Sequence, residues 1–364
     1  MFRIMLIMLL AASSLATKAL TVSVTTDKTV YKLGEEIHFK VKVTNTSSKI
    51  LNLRFPTLDY RSTFFGFAYE ADKDLERTYY PIPASQILSS LRSPQGLKRI
   101  YNGMKIKSKE QYIIRLGSFP ISNMLKERYL KFQLLKPGKS IEKTISIYAV
   151  RPGKCKVKAY FTGYIKHPGL WQFSKYTASD PVQIEIKGKE IRVIMQTTEG
   201  PLNLRLRPNL ALNHVYHFVN LSKKGFYNDV FFHRVIKGFM VQGGDPNAKK
   251  GANPRNIGKG DPGYYLPAEF SSQKHIRGTL SAARTALYNT AGCQFFICTE
   301  PFSDSDKRTQ ASLNGLYTVF GRLSRSSKYS KTLRRLSRIP TIPNSNGKVT
   351  KIVKIISTKL VFKQ

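Results

Sequence analysis

Cysteine is scarce in this chain of 364 residues, which holds only Cys155, Cys293 and Cys298. Three thiols make no disulfide framework. Cys293 and Cys298 lie five apart along an expected strand, which points them to opposite faces roughly 16 Å apart, beyond disulfide reach. All three read as small buried or half-buried residues, and no base stands near Cys293 in sequence to make it a nucleophile. Tryptophan is rarer still: Trp171 stands alone and reads as core rather than site. Long apolar runs are missing beyond the first residues, so no transmembrane segment is expected once a leader is removed.

That leader is residues 1–19. It carries an early cation at Arg3, an apolar stretch from Ile4 to Ala12, and small residues ending at Thr17 and Ala19. An apolar run of about ten residues is too short for a bilayer core of roughly 30 Å, so the segment reads as a secretory signal peptide. No cysteine follows it for acylation. Export to a periplasm or beyond is expected, which makes the protein periplasmic or secreted.

Acidic residues are outnumbered, 22 against 60 Lys and Arg, for a formal charge of +38. Residues 20–187 hold 29 basic and 13 acidic residues and residues 188–364 hold 29 and 9, so no single tail carries the excess. An evenly basic exported protein favours anionic envelope surfaces as a partner. Arg322, Arg325, Lys328, Lys331, Arg334 and Arg338 recur every three or four residues, with Leu323, Tyr329, Leu333 and Leu336 between them, as in an amphipathic helix with a basic stripe. Two readings of the stripe stand: a solvated face, or an anionic docking strip. No recognition module accompanies it, so nucleic acid is not expected.

With 41% apolar and 11% aromatic residues, the chain has enough for two cores. Residues 20–187 read as all-β: Thr21 to Thr26, Glu36 to Thr44, Ile50 to Phe55, Lys143 to Tyr148 and Cys155 to Phe161 alternate apolar with polar. Turn residues separate them at Leu33-Gly34, Lys136-Pro137-Gly138 and Arg151-Pro152-Gly153. Short strands and turns in this order predict an immunoglobulin-like β-sandwich, with Pro181 to Lys187 as its last edge. Residues 71–109, with Pro81, Pro83 and Pro94, are poorly periodic and read as an insertion. No catalytic set stands out in this half, whose role reads as binding.

The second half begins with a hairpin, Glu190 to Thr197 and Pro201 to Leu206, turning at Glu199-Gly200. Asn209 is placed to cap a helix carrying Val215, Phe218 and Val219, which stops at Gly225. Phe231 to Asp245 reads as a short strand ending at Arg234, a turn at Lys237-Gly238, a second strand, and a stop at Gly243-Gly244. A final strand is expected over Lys351 to Ser357. His214 and His217 sit at i and i+3 but find no third metal ligand at a useful spacing. The glycines after Gly243 lack the Gly-Lys-Ser/Thr of a phosphate cradle. No cofactor is implied.

The run Phe231-Phe232-His233-Arg234-Val235-Ile236-Lys237-Gly238-Phe239-Met240-Val241-Gln242-Gly243-Gly244-Asp245 resembles the active-site segment of a cyclophilin. Gly292 to Thr299 resembles that family's second active-site strand, and Leu313 to Gly321 its third. The resemblance covers about residues 188–364. It implies a mostly β chain in which the sandwich precedes a closed eight-stranded barrel with two helices, and it implies peptidyl-prolyl cis–trans isomerisation of proline-containing, unfolded or extended polypeptides. By the same resemblance Arg234, Phe239 and Gln242 are the catalytic candidates. His233, Met240, Phe296, Leu313 and Tyr317 would line the proline site, while Ala283, Arg284 and Gln294 would hold the extended peptide before proline.

The chemistry fits those residue types. Rotation about an Xaa-Pro bond crosses a barrier of about 18–20 kcal/mol, at whose top resonance is lost and the imide nitrogen gains a lone pair. A fixed cation aimed at that nitrogen stabilises the twisted form above either planar form. Arg234 is always charged and offers several N–H groups in one plane. The chain departs from the family between Thr299 and Leu313, where Asp304, Asp306, Lys307 and Arg308 lie in a longer segment. Ser312 stands where the family has a pocket-edge tryptophan and Tyr317 where it has a histidine, which implies weak binding of cyclosporin-type macrocycles. A second class of function, a scaffold that holds proline segments without turnover, would use the same fold. Intact Arg234, Phe239, Gln242 and Phe296 favour the enzyme.

Overall fold

The computed structural model describes residues 19–54, 63–70, 76–79, 132–161, 164–167, 170–173, 177–262, 265–301 and 303–364. The chain divides into two compact units, one of Met1–Tyr31, Glu36–Ile147 and Gly153–Ile186, the other of Lys32–Glu35, Tyr148–Pro152 and Lys187–Gln364. The leader up to residue 18 lies outside the described residues, as does the side chain of Trp171; of the expected insertion over 71–109 only the strand at 76–79 is described.

The first unit is built of strands, and three of them, over 20–26, 36–45 and 153–161, alternate buried with more exposed positions, the pattern that β-branched and aromatic residues stabilise when one face is covered. β1 (Leu20–Thr26), β2 (Val30–Lys32), β3 (Glu36–Asn45), β4 (Leu51–Arg54), β5 (Thr63–Tyr69), β6 (Glu76–Tyr79) and β7 (Phe132–Leu135) precede β8 (Ser140–Tyr148) and β9 (Gly153–Phe161). β10 (Tyr164–His167), β11 (Leu170–Phe173), β12 (Thr177–Ala178) and β13 (Val182–Lys187) complete it. They make three sheets in the orders β1-β3-β8, β11-β10-β4-β7 and β2-β13-β9-β5-β6, with β12 on β9. Ile37, Phe39, Val41 and Val43 of β3 are buried on one face and pair β1 in antiparallel register, Val22 opposite Val43 and Val24 opposite Val41. β13, expected as an edge, lies between β2 and β9.

In the second unit β14 (Glu190–Thr197) and β15 (Gly200–Leu206) form the expected hairpin. α1 (Leu212–Lys223) follows and is buried at every position from Leu212 to Ser222. Its cap is not Asn209. The cap position is Ala211, which offers no side-chain acceptor, and the free N–H groups of Asn213 and His214 donate instead to the Glu269 carboxylate at 3.1 and 3.0 Å. His214 Nδ1 meets the same carboxylate at 2.6 Å, which accounts for one of the two helical histidines by a hydrogen bond at the helix cap. Burial raises the Glu269 carboxyl, but these bonds outweigh it and the net shift is downward.

Then come β16 (Arg234–Ile236), β17 (Met240–Gly243), β18 (Thr279–Ala282), β19 (Phe295–Cys298), α2 (Asp304–Ala311), β20 (Val319–Leu323), α3 (Ser327–Leu336) and β21 (Ile355–Lys363). The sheet order is β16-β17-β19-β18-β20-β15-β14-β21. It is open, which corrects the expected closed barrel: β16 and β21 do not pair as strands. Single bridges, Phe231 to Lys354 and Arg234 to Lys348, join flanking segments instead. Pro340 and Pro343, which cannot donate to a ladder, and the left-handed Asn344, Asn346 and Gly347 keep this stretch from being a strand. The last strand begins at Ile355, not Lys351.

Three helices, not two, occur in this unit among the described residues. The additional one is α2, within the longer segment after Thr299, where Ser303 and Asp306 form a reciprocal capping box. The basic stripe is also corrected: Arg322 and Leu323 belong to β20, and Arg325 and Arg338 fall outside α3, which buries Thr332, Leu333 and Leu336. The three cysteines are buried and form no disulfide among the described residues, and Cys293 precedes β19 rather than sharing it. Burial pushes the Cys298 thiol up to about 12 and raises Cys293 as well, against nucleophilic use of either.

Candidate active site

Strand pairing places the site. β16 and β17 run antiparallel with Arg234 opposite Gln242, and β17 pairs β19 with Gln242 opposite Phe296. The turn between the first two strands needs Gly238, whose φ is +72° and where a Cβ would press on the Asp306 carboxylate. Phe239 follows directly, so the turn decides where its ring goes.

Gln310 of α2 holds that turn from behind. It is buried, and its side-chain amide donates to the carbonyls of Gly238, Phe239 and Thr299 at 3.2, 3.1 and 2.9 Å. The longer segment after Thr299 thus supplies a clamp for the Phe239 backbone.

Met240, Phe296 and Leu313 form an apolar floor, 2%, 5% and 8% exposed, with Phe239, Ala283 and Tyr317 packed against it. The Phe296 and Tyr317 rings meet edge to face with centroids 5.8 Å apart. Behind Phe296 the buried His275 stacks on its ring at 6.0 Å and is fixed by Ser281 Oγ, 3.0 Å from Nε2, and by Asn314 Oδ1, which accepts the His275 backbone N–H at 2.7 Å. Burial lowers the His275 pKa, partly opposed by the bond to Asn314, so the ring is a neutral wall.

Arg234 lies at the edge of this floor in a planar web. Its Nη1 donates to Gln242 Oε1 at 3.2 Å, its Nε to the Asn346 carbonyl at 3.0 Å and its Nη2 to Asn346 Oδ1 at 2.8 Å. Gln242 passes the order on, donating to Gln294 Oε1 at 2.9 Å, and Gln294 donates to the carbonyls of Gly258 and Gly260. Three of the five guanidinium N–H groups are used among the described residues, which leaves one on each terminal nitrogen. Burial lowers the Arg234 pKa, against a small opposing effect of Tyr317, and the group stays a cation.

His233 lies beside Arg234 with its ring buried and neither ring nitrogen bonded among the described residues. Burial pulls its pKa down to about 4; Asp245 opposes that and Arg234 adds to it. The imidazole is neutral at pH 7.

A cavity of about 630 Å³ takes its lining from His233, Arg234, Phe239, Met240, Gln242, Ala283, Arg284, Phe296, Leu313 and Tyr317. Gln294 sits behind it, bonded to Gln242. The structure therefore brings all the candidate side chains to one place. Arg284 is pinned by the carbonyls of Leu316 and Thr285 and lies over the Tyr317 ring at 4.2 Å. Ser312 caps the end of α2, exposed, and contributes nothing to the lining. Sequence reading missed Asn346, Gln310 and His275. Asn346-Gly347 carries a turn signal, and a Cβ on Gly347 would strike the Val235 carbonyl, but nothing in the sequence ties that turn to Arg234.

Residues 192–360 match the family model for cyclophilin type peptidyl-prolyl cis-trans isomerase/CLD, and residues 8–60 match a family of unknown function, DUF7974. A peptidyl-prolyl cis-trans isomerase of Synechococcus elongatus is 43% identical over 131 residues, covering 36% of this chain and 79% of that protein. A probable peptidyl-prolyl cis-trans isomerase of Brucella suis is 44% identical over 138 residues, 37% of this chain and 66% of that protein. A crystal structure of a Cryptosporidium parvum cyclophilin type peptidyl-prolyl cis-trans isomerase aligns with 30% identity and a TM-score of 0.39, covering 48% of this chain and 99% of the other.

Proposed function

The chain belongs to the cyclophilin-type peptidyl-prolyl cis-trans isomerase family, and from that premise we propose an exported isomerase that assists folding of envelope proteins, with an immunoglobulin-like sandwich that recruits clients. One observation carries the catalytic part: Arg234, held in plane by Gln242 and Asn346 with two N–H groups to spare, borders an apolar floor fit for a prolyl ring. Phe239, Met240, Phe296 and Leu313 take the ring by burial of apolar surface. Arg234 donates to the imide nitrogen as it becomes pyramidal, and Gln242 keeps the guanidinium from turning away. The gain is in the twisted state, so it raises rate rather than affinity alone. No group has to lose or gain a proton.

The division we propose is a leader over residues 1–19, the sandwich over 20–187 and the isomerase over 188–364. The apolar leader supports export, and hence a periplasmic or secreted location. The sandwich reading is supported by β1, which buries Val22 and Val24 and lies close to β9 and β12 of another sheet. No helix among the described residues is long and apolar enough to cross a membrane.

The test is cis–trans exchange of a short Xaa-Pro peptide, followed with the full chain and with residues 188–364. Both are expected to turn it over equally, because a short peptide has no remote contacts to make. The fragment is expected to be the less stable, since it lacks residues 32–35 and 148–152 of its own unit, where the Tyr148 ring packs on Tyr216 with centroids 6.2 Å apart. A full chain that binds the peptide without accelerating exchange would refute the enzyme and favour the scaffold. A fragment that stays folded yet is inactive would refute the separation of roles.

A further inference from the structure

The cavity is larger than one prolyl ring needs and has a second floor. Beyond Arg234 its lining continues over Phe231, Ile257 and Val349, which pack with Val230 and Ala248 in an apolar cluster separate from the one under the proline site. Ile342 and Ile352, 47% and 48% exposed, extend this surface outward. Cations also edge the cavity, Arg234, Lys249, Arg284 and Lys348, and the lining holds no Asp or Glu. The spare N–H groups of Arg234 are assigned to the proline site, and Arg284 is committed to protein carbonyls. Lys249 and Lys348 are exposed, and neither ammonium has an ion-pair or hydrogen-bond partner among the described residues.

An apolar floor under two uncommitted ammonium groups suits a side chain with a methylene stem and a terminal carboxylate. An extended peptide rises about 3.3 Å per residue, so a chain seated at the proline floor places its neighbouring residues within a cavity of this size. We propose that Phe231, Ile257 and Val349 with Lys249 and Lys348 form a specificity subsite that selects a glutamate within two residues of the isomerised Xaa-Pro bond. The proposal rests on the isomerase reading above and adds the substrate class. The apolar floor alone would favour leucine; the lysines are what turn the preference to glutamate.

The probes are short peptides with Glu, Gln or Leu at each of the two positions before and after Xaa-Pro. Exchange rates and, separately, equilibrium binding by anisotropy of labelled peptides are measured on the full chain. At one position Glu is expected to exceed Gln about fivefold in both readouts, the scale of two exposed ion pairs. The Glu-to-Gln ratio should fall below about twofold in Lys249→Gln/Lys348→Gln and in high salt, where exposed charges are screened. A ratio near one at every position, a ratio unmoved in the double variant, or Leu preferred to Glu would overturn the subsite. Absence of turnover on all peptides would count against the isomerase reading, and the binding ratio would still decide the subsite.

Discussion

Arg234→Ala tests the centre of the reasoning. The side chain gives three N–H groups to its web and keeps two, and one of those is assigned to the imide nitrogen. Removing one preorganised donor to a charge that develops only in the transition state costs about 2.7–4 kcal/mol, or roughly a hundredfold to a thousandfold in rate. The lower end applies because the cavity is open to water, so kcat/KM is expected to fall about a hundredfold. Stability should barely follow. Asn346 is exposed and Gln242 half-buried, so both can bond water once the guanidinium is gone, and the loss should stay under about 2 kcal/mol. Exchange on a short Xaa-Pro peptide gives the rate, and thermal unfolding gives the stability. Turnover within threefold of the parent in a folded variant would remove Arg234 from the mechanism.

Asn346→Gly keeps the left-handed backbone at φ +55° and the carbonyl that accepts Nε, deleting only the Oδ1 acceptor; kcat should fall several-fold with KM little changed, and an unchanged kcat would deny Asn346 a positioning role. Gln310→Ala removes the side-chain donor to the Gly238 and Thr299 carbonyls, while the Phe239 carbonyl keeps the Thr299 N–H, and should cost about 2–3 kcal/mol in a denaturant titration, with peptide turnover reduced as Phe239 loosens; a cost below 0.5 kcal/mol, roughly the scale of a surface change, would contradict the clamp. Burial holds His217 at about 3 and His233 at about 4, below the unfolded value near 6.5, so the unfolded chain binds more protons in between. Stability of the second unit is therefore full above about pH 6.5 and lost as pH falls toward 4, by several kcal/mol; hydrogen exchange in β17 and β19 that is equally protected at pH 7 and pH 5 would refute this. A cyclosporin-type macrocycle should bind weakly because Ser312 brings no indole to the pocket edge, and submicromolar inhibition of exchange would contradict that.

How much was legible follows the range of each interaction. The β14–β15 hairpin, β16 with its turn at Gly238, and β17 rest on contacts between near neighbours, with alternation and glycine marking them in the chain itself. Arg234 and Gln242 face each other across that short hairpin, so their partnership is nearly local. The cap of α1 is not: Asn209 had the right chemistry two places too early, and the carboxylate that satisfies the helix comes from Glu269. The basic periodicity around Arg322 ran through the end of β20 because a period of three or four cannot separate a helix from the strand residues before it.

The sequence by itself determined the family and named Arg234 and its apolar neighbours as candidates, since motif residues lie within a few positions of one another and their chemistry is set by type. Tertiary structure alone decided the rest of the site. Asn346 reaches Arg234 across 112 positions, Gln310 clamps the Phe239 turn across 71, and Val349 and Ile257 join Phe231 in the second floor. Closure of the sheet was decided there too, because whether β16 and β21 meet as strands depends on the path of residues 337–354, where prolines and left-handed residues break the ladder. Local rules read torsion and periodicity; these contacts depend on where distant segments are brought, which periodicity does not encode.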